Sequence, residues 1–332
     1  MSRIFITGGA GFIGSHIAAH HLSQGDSVLA VDNLSTGSMA NIAAFENNPR
    51  FRLQVADVVT WRGLEHAVAN ADRVYHMAAM VGMFHVLEHP ADIVRVNVTG
   101  CERILQAASA TRPSPSVVVA SSSSVYGSSA PEHMHEDADL VMVPGSPLLH
   151  YAVSKLANEA QAQAYARTFG VHVVAARLFN TIGPGQAGLY GYVVPRFTQQ
   201  AIAGEPITVF GDGQQTRSFC DVRDMVAFLV ALAETPAARG QVVNVGNVQE
   251  ITIQALAELV RARAGSDSQI THVSYAKAYG RSFEQIPQRR PVLDRLHALT
   301  LVRPRWTLEA TIDDLVSYYR GNTRQKPAIA MA

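Results

Sequence analysis

Thr7-Gly8-Gly9-Ala10-Gly11-Phe12-Ile13-Gly14 follows a short apolar run, Arg3–Thr7, and opens a stretch of helical spacing, Phe12–Gln24. Glycines at 8, 11 and 14, or at 9, 11 and 14, leave no side chain between the backbone and a group resting on the helix start. There the unpaired N–H groups and the helix dipole favour a diphosphate. Alone, such a turn is a weak sign, because any tight strand-to-helix connection can be rich in glycine. Its weight comes from its surroundings.

Downstream, strand-like and helical stretches alternate. Ser27–Val31, Phe51–Val55, Arg73–Met77, Ser116–Ala120 and Val171–Ala176 are short and apolar, while Trp61–Ala69, Pro90–Ala110 and Tyr151–Phe169 have helical spacing. Apolar strands separated by helices predict an α/β fold, a Rossmann-type doubly wound parallel sheet covered on both faces. After residue 180 the rhythm breaks, with Gly183-Pro184-Gly185, the strand-like Pro206–Phe210 and Gly211-Asp212-Gly213. Met225–Glu234, Ile253–Arg263 and Leu308–Arg320 read as helices, and Val242–Val245 as one more buried strand. We expect residues 1–180, joined by about 225–250, to form the sheet domain. Residues 181–224 and 251–320 would form a smaller, interleaved C-terminal substrate lobe, with 321–332 as a frayed tail.

Composition removes several other classes. The chain has 332 residues, 48% hydrophobic and 16% charged, with 27 basic and 27 acidic side chains. That apolar content excludes a disordered chain, and the charge balance speaks against nucleic acid as a partner. The longest apolar run of the central region, Met225–Ala233, is far short of the roughly 20 residues that span a bilayer. Met1 leads straight into a strand pattern rather than a leader segment, so a soluble, cytoplasmic protein is expected. Cys101 and Cys220 alone build neither a zinc site nor a disulfide framework. His16, His20 and His21, and His133 and His135, come without carboxylates at metal spacing, so no metal is expected.

Asp32 ends the strand after the glycine turn, where an acid would bind a ribose 2′-hydroxyl. Its charge repels a 2′-phosphate, and no arginine lies in Asn33–Thr36 to receive one, so NAD is expected rather than NADP. Asp57-Val58, after the third strand, lies where a carboxylate could meet the adenine amine.

Tyr151 and Lys155 are four residues apart and share one helix face, as a surface aromatic–cation pair also would. Ser121-Ser122-Ser123-Ser124-Val125-Tyr126-Gly127 follows the strand Ser116–Ala120, placing hydroxyls where parallel sheets bind ligands. A lysine ammonium and a nicotinamide cation would both lower a tyrosine pKa from about 10 toward neutrality. Such a tyrosine can take a hydroxyl proton as the carbon is oxidised, while a serine hydroxyl holds the oxygen.

These residues resemble a known family, the extended short-chain dehydrogenases/reductases of the NAD-dependent nucleotide-sugar epimerase/dehydratase group. The likeness runs from Gly8 to about Tyr319. It includes His76-Met77-Ala78-Ala79, Asn97-Val98-Thr99-Gly100, Tyr151-Ala-Val-Ser-Lys155, Arg177-Leu-Phe-Asn180, Gly211-Asp-Gly213-Gln-Gln-Thr-Arg217 and Asn244-Val-Gly-Asn247. The resemblance implies a UDP-sugar substrate, tightly held NAD regenerated at each turnover, and a homodimer formed through residues 90–110 and 151–169. It implies Ser122, Tyr151 and Lys155 as catalytic residues. Around NAD it implies Gly8, Gly11, Phe12, Ile13, Gly14, Asp32, Asn33, Asp57, Val58, Ala78, Ala79 and Asn97, together with Tyr151 and Lys155. Around the substrate it implies Val81, Ser122, Ser123, Asn180 near the diphosphate and sugar, Phe210 beside the uracil and Arg217 on the diphosphate. Arg281 and Glu284 resemble a late Arg-x-x-acid pair for phosphate and ribose. The family's Arg-Arg-x-Pro-Asp run is shifted here to Arg289-Arg290-Pro291-Val292-Leu293-Asp294.

Members of the family begin by oxidising the sugar at C4 and then diverge. Dehydratases resemble Thr-Asp-Glu-Val-Tyr-Gly and uronate decarboxylases Thr/Ser-Ser-Glu-Val-Tyr-Gly, whereas this chain has Ser123 and Ser124 with no carboxylate at either position. The expected outcome is therefore 4-epimerisation, with decarboxylation or dehydration as the alternatives and a noncatalytic NAD-binding protein further behind. Relatives often carry Gly-Pro-Arg-Gln-x-Gly-Arg-Tyr, where this chain has Gly185 and Leu189 in place of the two arginines. That favours an uncharged UDP-hexose or UDP-N-acetylhexosamine over a uronate, unless Arg196 or another distant arginine reaches the site.

Overall fold

The strand that precedes the glycine turn, β1 (Arg3–Thr7), lies inside a parallel sheet, between β2 (Ser27–Asp32) and β4 (Arg73–His76). Beyond β2 lies β3 (Phe51–Val55); beyond β4 lie β5 (Ser116–Ser122), β6 (Val173–Leu178) and β7 (Val242–Val245). All seven strands run parallel, in the order β7-β6-β5-β4-β1-β2-β3. The order changes direction between β1 and β4, and at such a switch the carboxyl ends of the strands leave a crevice for a ligand. The computed structural model describes residues 1–82, 88–127, 133–146, 148–186, 192–279 and 287–322.

Side chains alternate across each strand, which explains why these strands are apolar throughout. Ile4, Ile6, Val118 and Val174 pack on the face covered by α1 (Phe12–Ser23) and the helix Val222–Glu234. Phe5, Val74, Val117, Val119 and Val173 pack on the other face, with Leu64 of α2 (Leu64–Ala69), Ile104 of α3 (Pro90–Ala110) and Ala162 of α4 (Leu149–Phe169). Gly170 ends α4 in the left-handed conformation, φ +71°, that a glycine adopts without strain.

A separate core joins Ile182, Val194, Phe197, Leu256, Val260, Ile312 and Leu315. Around it lie three two-stranded ribbons: Thr181–Ile182 with Cys220–Asp221, Thr216–Ser218 with Glu250–Thr252, and Ile207–Phe210 with Ile270–Val273. The helix Val193–Ala203 contributes Val194, Phe197 and Ala201 to this core and was not foreseen from the sequence. It begins just after the glycine- and proline-rich stretch, where no periodic run is long enough to announce it. The helix read at Met225 starts earlier, at Val222, because the Asp221 carboxylate accepts the Arg223 N–H at 2.8 Å and caps it. Among the described residues no helix is long and apolar enough to cross a membrane.

Candidate active site

Between β1 and α1 the chain turns through Gly8, whose φ of +73° lies in the region side chains avoid. A Cβ on Gly14 would stand 2.1 Å from the Gly8 carbonyl oxygen, a backbone atom that cannot step aside. Gly11 is the N-cap of α1 and brings no side-chain acceptor, so the first-turn N–H groups are left for a ligand. The Asp32 carboxylate is held at this turn by the N–H groups of Ala10 (3.0 Å) and Leu34 (2.8 Å).

A cavity of about 640 Å³ opens over these strand ends. Its wall contains Gly8, Gly11, Phe12, Ile13 and Gly14 from the turn, Asp32 and Asn33 after β2, and Asp57 and Val58 after β3. Ala78, Ala79 and Val81 after β4, Ser122 and Ser123 after β5, Tyr151 and Lys155 of α4, and Asn180 complete it. An uncapped helix start with a carboxylate beside it suits a dinucleotide's diphosphate and ribose, so these residues fit NAD.

Three sequence-derived positions fall elsewhere. Asn97 is buried outside the wall: its Oδ1 accepts the Met80 N–H (2.9 Å), and its Nδ2 donates to the Met80 carbonyl (3.3 Å) and Ser154 Oγ (3.0 Å). With those groups engaged it braces Met80, which does line the cavity. Phe210 and Arg217 sit on the ribbons of the smaller lobe and are not part of this wall. Arg281 and Glu284 lie outside the described residues.

At the chemical end, Ser122 Oγ accepts the Ser124 N–H at 3.1 Å and is hydrogen-bonded to the Tyr151 hydroxyl. Lys155 Nζ donates to the Ala120 carbonyl at 2.8 Å and lies 5.9 Å from the centre of the Tyr151 ring. Burial pushes Lys155 down to about 8. It also raises the Tyr151 phenol above its ordinary value, while the Ser122 hydrogen bond and the charge of Arg289 act in the opposite direction. The Lys155 ammonium is directed at the Ala120 carbonyl, and the cation acting on the phenol in the protein alone is Arg289.

Two features escaped the sequence reading. Beneath the site, the Glu159 carboxylate receives Arg177 Nε (2.9 Å), Arg177 Nη2 (2.8 Å) and Ser121 Oγ (2.5 Å). Glu159 continues the four-residue spacing of Tyr151 and Lys155 on α4, a signal that was available. Arg289 joins the cavity wall, and among the described residues its buried Nε has no hydrogen-bond partner. Burial and the like charge of Arg217 push Arg289 down to about 10. Arg196, the arginine named from sequence as able to reach in, instead donates to the Thr208 carbonyl at 2.6 Å and stacks 4.0 Å over the Phe210 ring.

A sequence profile of the NAD dependent epimerase/dehydratase family matches residues 4–246. The chain belongs to this family. NAD is therefore its cofactor. The family member is 33% identical over 320 residues to a UDP-N-acetyl-alpha-D-glucosaminuronate decarboxylase of Bacillus cytotoxicus, covering 96% of this chain and 98% of that one. It is 34% identical to UDP-glucuronic acid decarboxylase 1 of Xenopus tropicalis, over 96% of this chain and 72% of that protein. Among solved structures, UDP-glucuronic acid 4-epimerase from Bacillus cereus with UDP-glucuronic acid and NAD superposes with a TM-score of 0.84 at 26% identity, over 96% and 99% of the two chains. UDP-N-acetylglucosamine 4-epimerase from Methanobrevibacter ruminantium gives 0.87 at 26% identity, over 97% and 99%.

Proposed function

We propose that this family member oxidises a UDP-uronate at C4 and then releases the uronate carboxyl group as carbon dioxide. The observation that carries the anionic sugar is Arg289, a half-buried residue in the cavity wall whose buried Nε has no hydrogen-bond partner among the described residues and whose charge acts on Tyr151. A buried N–H of this kind asks for an acceptor, and a carboxylate receives a guanidinium through paired N–H donors. The decarboxylases among its relatives support the same reading.

In this reading Tyr151, once ionised, takes the proton of the sugar's 4-hydroxyl while the Ser122 hydroxyl holds O4. NAD supplies, when bound, the two-electron oxidation at C4 and its reversal. The carboxylate at C5 of a 4-keto sugar is that of a β-keto acid. Its bond to C5 breaks with the electron pair passing toward O4, which Tyr151 and Ser122 hold, so no side-chain carboxylate is required. C5 then takes up a proton from solvent water, and, as C4 is reduced again, Tyr151 returns its own proton to O4.

A second reading, 4-epimerisation, is favoured by Ser123 and Ser124, hydroxyls in the wall where decarboxylases resemble a carboxylate. A carboxylate kept in an ion pair with Arg289 would also hold its charge and its bond to C5. The uncharged sugar favoured by the missing loop arginines gives way here, because Arg289 brings a cation from another part of the chain.

The test is to incubate the purified protein, without added NAD, with UDP-glucuronate, UDP-N-acetylglucosaminuronate, UDP-glucose and UDP-N-acetylglucosamine separately, following the sugar protons by NMR. Loss of carbon dioxide from a uronate is expected. Galacto-configured signals at unchanged mass would establish the second reading, and turnover confined to uncharged sugars would overturn the uronate assignment.

A further inference from the structure

Glu159 is buried outside the cavity wall, and its carboxylate is fixed from two neighbouring strands. Ser121 of β5 and Arg177 of β6 are register partners in the sheet, and both reach it: Ser121 Oγ and Arg177 Nε donate to Oε1, Arg177 Nη2 to Oε2. The Arg177 guanidinium lies over the Tyr126 ring, whose hydroxyl donates to Asn244 Oδ1 on β7 at 2.8 Å. A helix packs on a sheet without any carboxylate, and apolar side chains of similar volume often match a buried ion pair in stability. The charge of Glu159 therefore points to a role beyond holding the fold.

On α4, Glu159 comes four residues after Lys155, which places the two on one face, a turn apart. Lys155 is buried, and its ammonium gives one N–H to the carbonyl of Ala120, the residue before Ser121 on β5. An ammonium has three N–H donors, so the others serve what binds in the cavity that Lys155 lines. Burial by itself favours the neutral amine, which has one donor fewer and no charge. The titratable groups around Lys155 are His76 of β4, Cys101 of α3, and Tyr151 and Glu159 of its own helix, with Arg177 facing the Glu159 carboxylate from β6. His76 is held neutral, and burial pushes the Cys101 thiol up to about 12, so neither is charged near neutral pH. Burial raises the Tyr151 phenol as well. Among the described residues that act on Lys155, Glu159 is thus the only anion at neutral pH.

We propose that Glu159 is a positioning residue for catalysis: held by Ser121 and Arg177, its carboxylate keeps Lys155 an ammonium seated on the Ala120 carbonyl, and so sets the upper pH at which the enzyme turns over. The proposal rests on Lys155 serving the oxidation at C4, a step that decarboxylation and epimerisation share, and not on the choice of sugar. Exchanging Glu159 for glutamine removes the anion and leaves Arg177 as an unpaired cation, and both changes favour the neutral amine.

The chain has only three lysines, Lys155, Lys277 and Lys326, so carbon-13 NMR of the full-length protein, labelled at lysine Cε and saturated with NAD, follows Lys155 directly. Its signal is the one lost in Lys155→Met. In Glu159→Gln the acid dissociation constant of Lys155 should rise by about tenfold or more, the scale of a neighbouring opposite charge, and recover in part in Glu159→Asp. The high-pH limb of turnover should move to lower pH by the same factor. Turnover is measured with UDP-glucuronate or, should only uncharged sugars react, with UDP-glucose. Should Glu159→Gln fail to fold, the pair variant Glu159→Met, Arg177→Met carries the test; a rise of about threefold or more is expected, because a cation leaves along with the anion. A purely structural role would lower the melting temperature, and turnover at every pH, while the Lys155 titration and the high-pH limb stay in place, and that result would overturn the proposal. A shifted titration with an unmoved limb would overturn it too. Full activity in Lys155→Met would instead take Lys155 out of the chemistry, and the proposal with it.

Discussion

Substituting Glu159→Gln asks how much of the site's floor is held by charge. The Glu159 and Arg177 side chains are 3% and 4% exposed, with Oε2 2.8 Å from Nη2 and Oε1 2.9 Å from Nε. Glutamine fills the same space but places an NH₂ where one carboxylate oxygen stood, so one guanidinium N–H loses its acceptor and the charge loses its counterion. Besides the remaining side-chain oxygen, Arg177 keeps the Glu136 carbonyl at 3.3 Å and the face of Tyr126, 4.8 Å to the ring centre. Removing one partner of a buried ion pair costs about 3–5 kcal/mol. At about 2–4 °C per kcal/mol, the melting temperature should fall by about 6–20 °C. Thermal unfolding followed by circular dichroism measures this, at fixed NAD concentration because bound cofactor raises the transition by mass action. The double variant Glu159→Met, Arg177→Met should recover most of the loss, since it removes both buried charges together. A single variant that loses under about 1 kcal/mol, or a double variant worse than the single, would refute the reasoning.

Tyr151→Phe is expected to retain bound NAD while losing nearly all turnover; full activity would remove Tyr151 from the mechanism. His76 is fully buried and held neutral, pushed down to about 3. Between pH 6.5 and 3 the unfolded chain therefore binds a proton that the native chain does not, and stability falls as pH falls through that window. Denaturant titrations at pH 6.5 and pH 5 should show a loss of about 2 kcal/mol from this group, absent in His76→Asn; identical pH slopes would count against it. Light scattering is expected to give a dimer joined through residues 90–110 and 151–169, where Val94, Val153 and Phe169 are exposed apolar side chains. A monomer would discard that proposal.

The sheet was legible because each of its strands is a short apolar run between helical stretches, and because the glycine turn dates the first crossover. Tyr151 and Lys155 were legible because helical spacing alone places them together. Arg289 was legible only as part of a shifted family run: that its Nε is buried without a partner among the described residues is a property of the folded environment rather than of any local pattern. Asn97 shows the converse. A family motif points to it, but the fold engages its amide with Met80 and Ser154, one layer behind the wall. The helix Val193–Ala203 escaped because tertiary burial, not a long periodic run, sustains it.

The last strand of the sheet bears on how such an enzyme can change over generations. Val242–Val245, buried at every position, pairs with β6 only after the chain has passed through Thr181–Asp221 and back. A fragment cut at residue 180 would leave the buried β6 sequence with a bare ladder of N–H and C=O groups, an invitation to aggregate. The two halves of this molecule are therefore not modules that recombination can exchange whole. New specificity has to arrive by altering inserted segments in place, with the threading of the chain preserved.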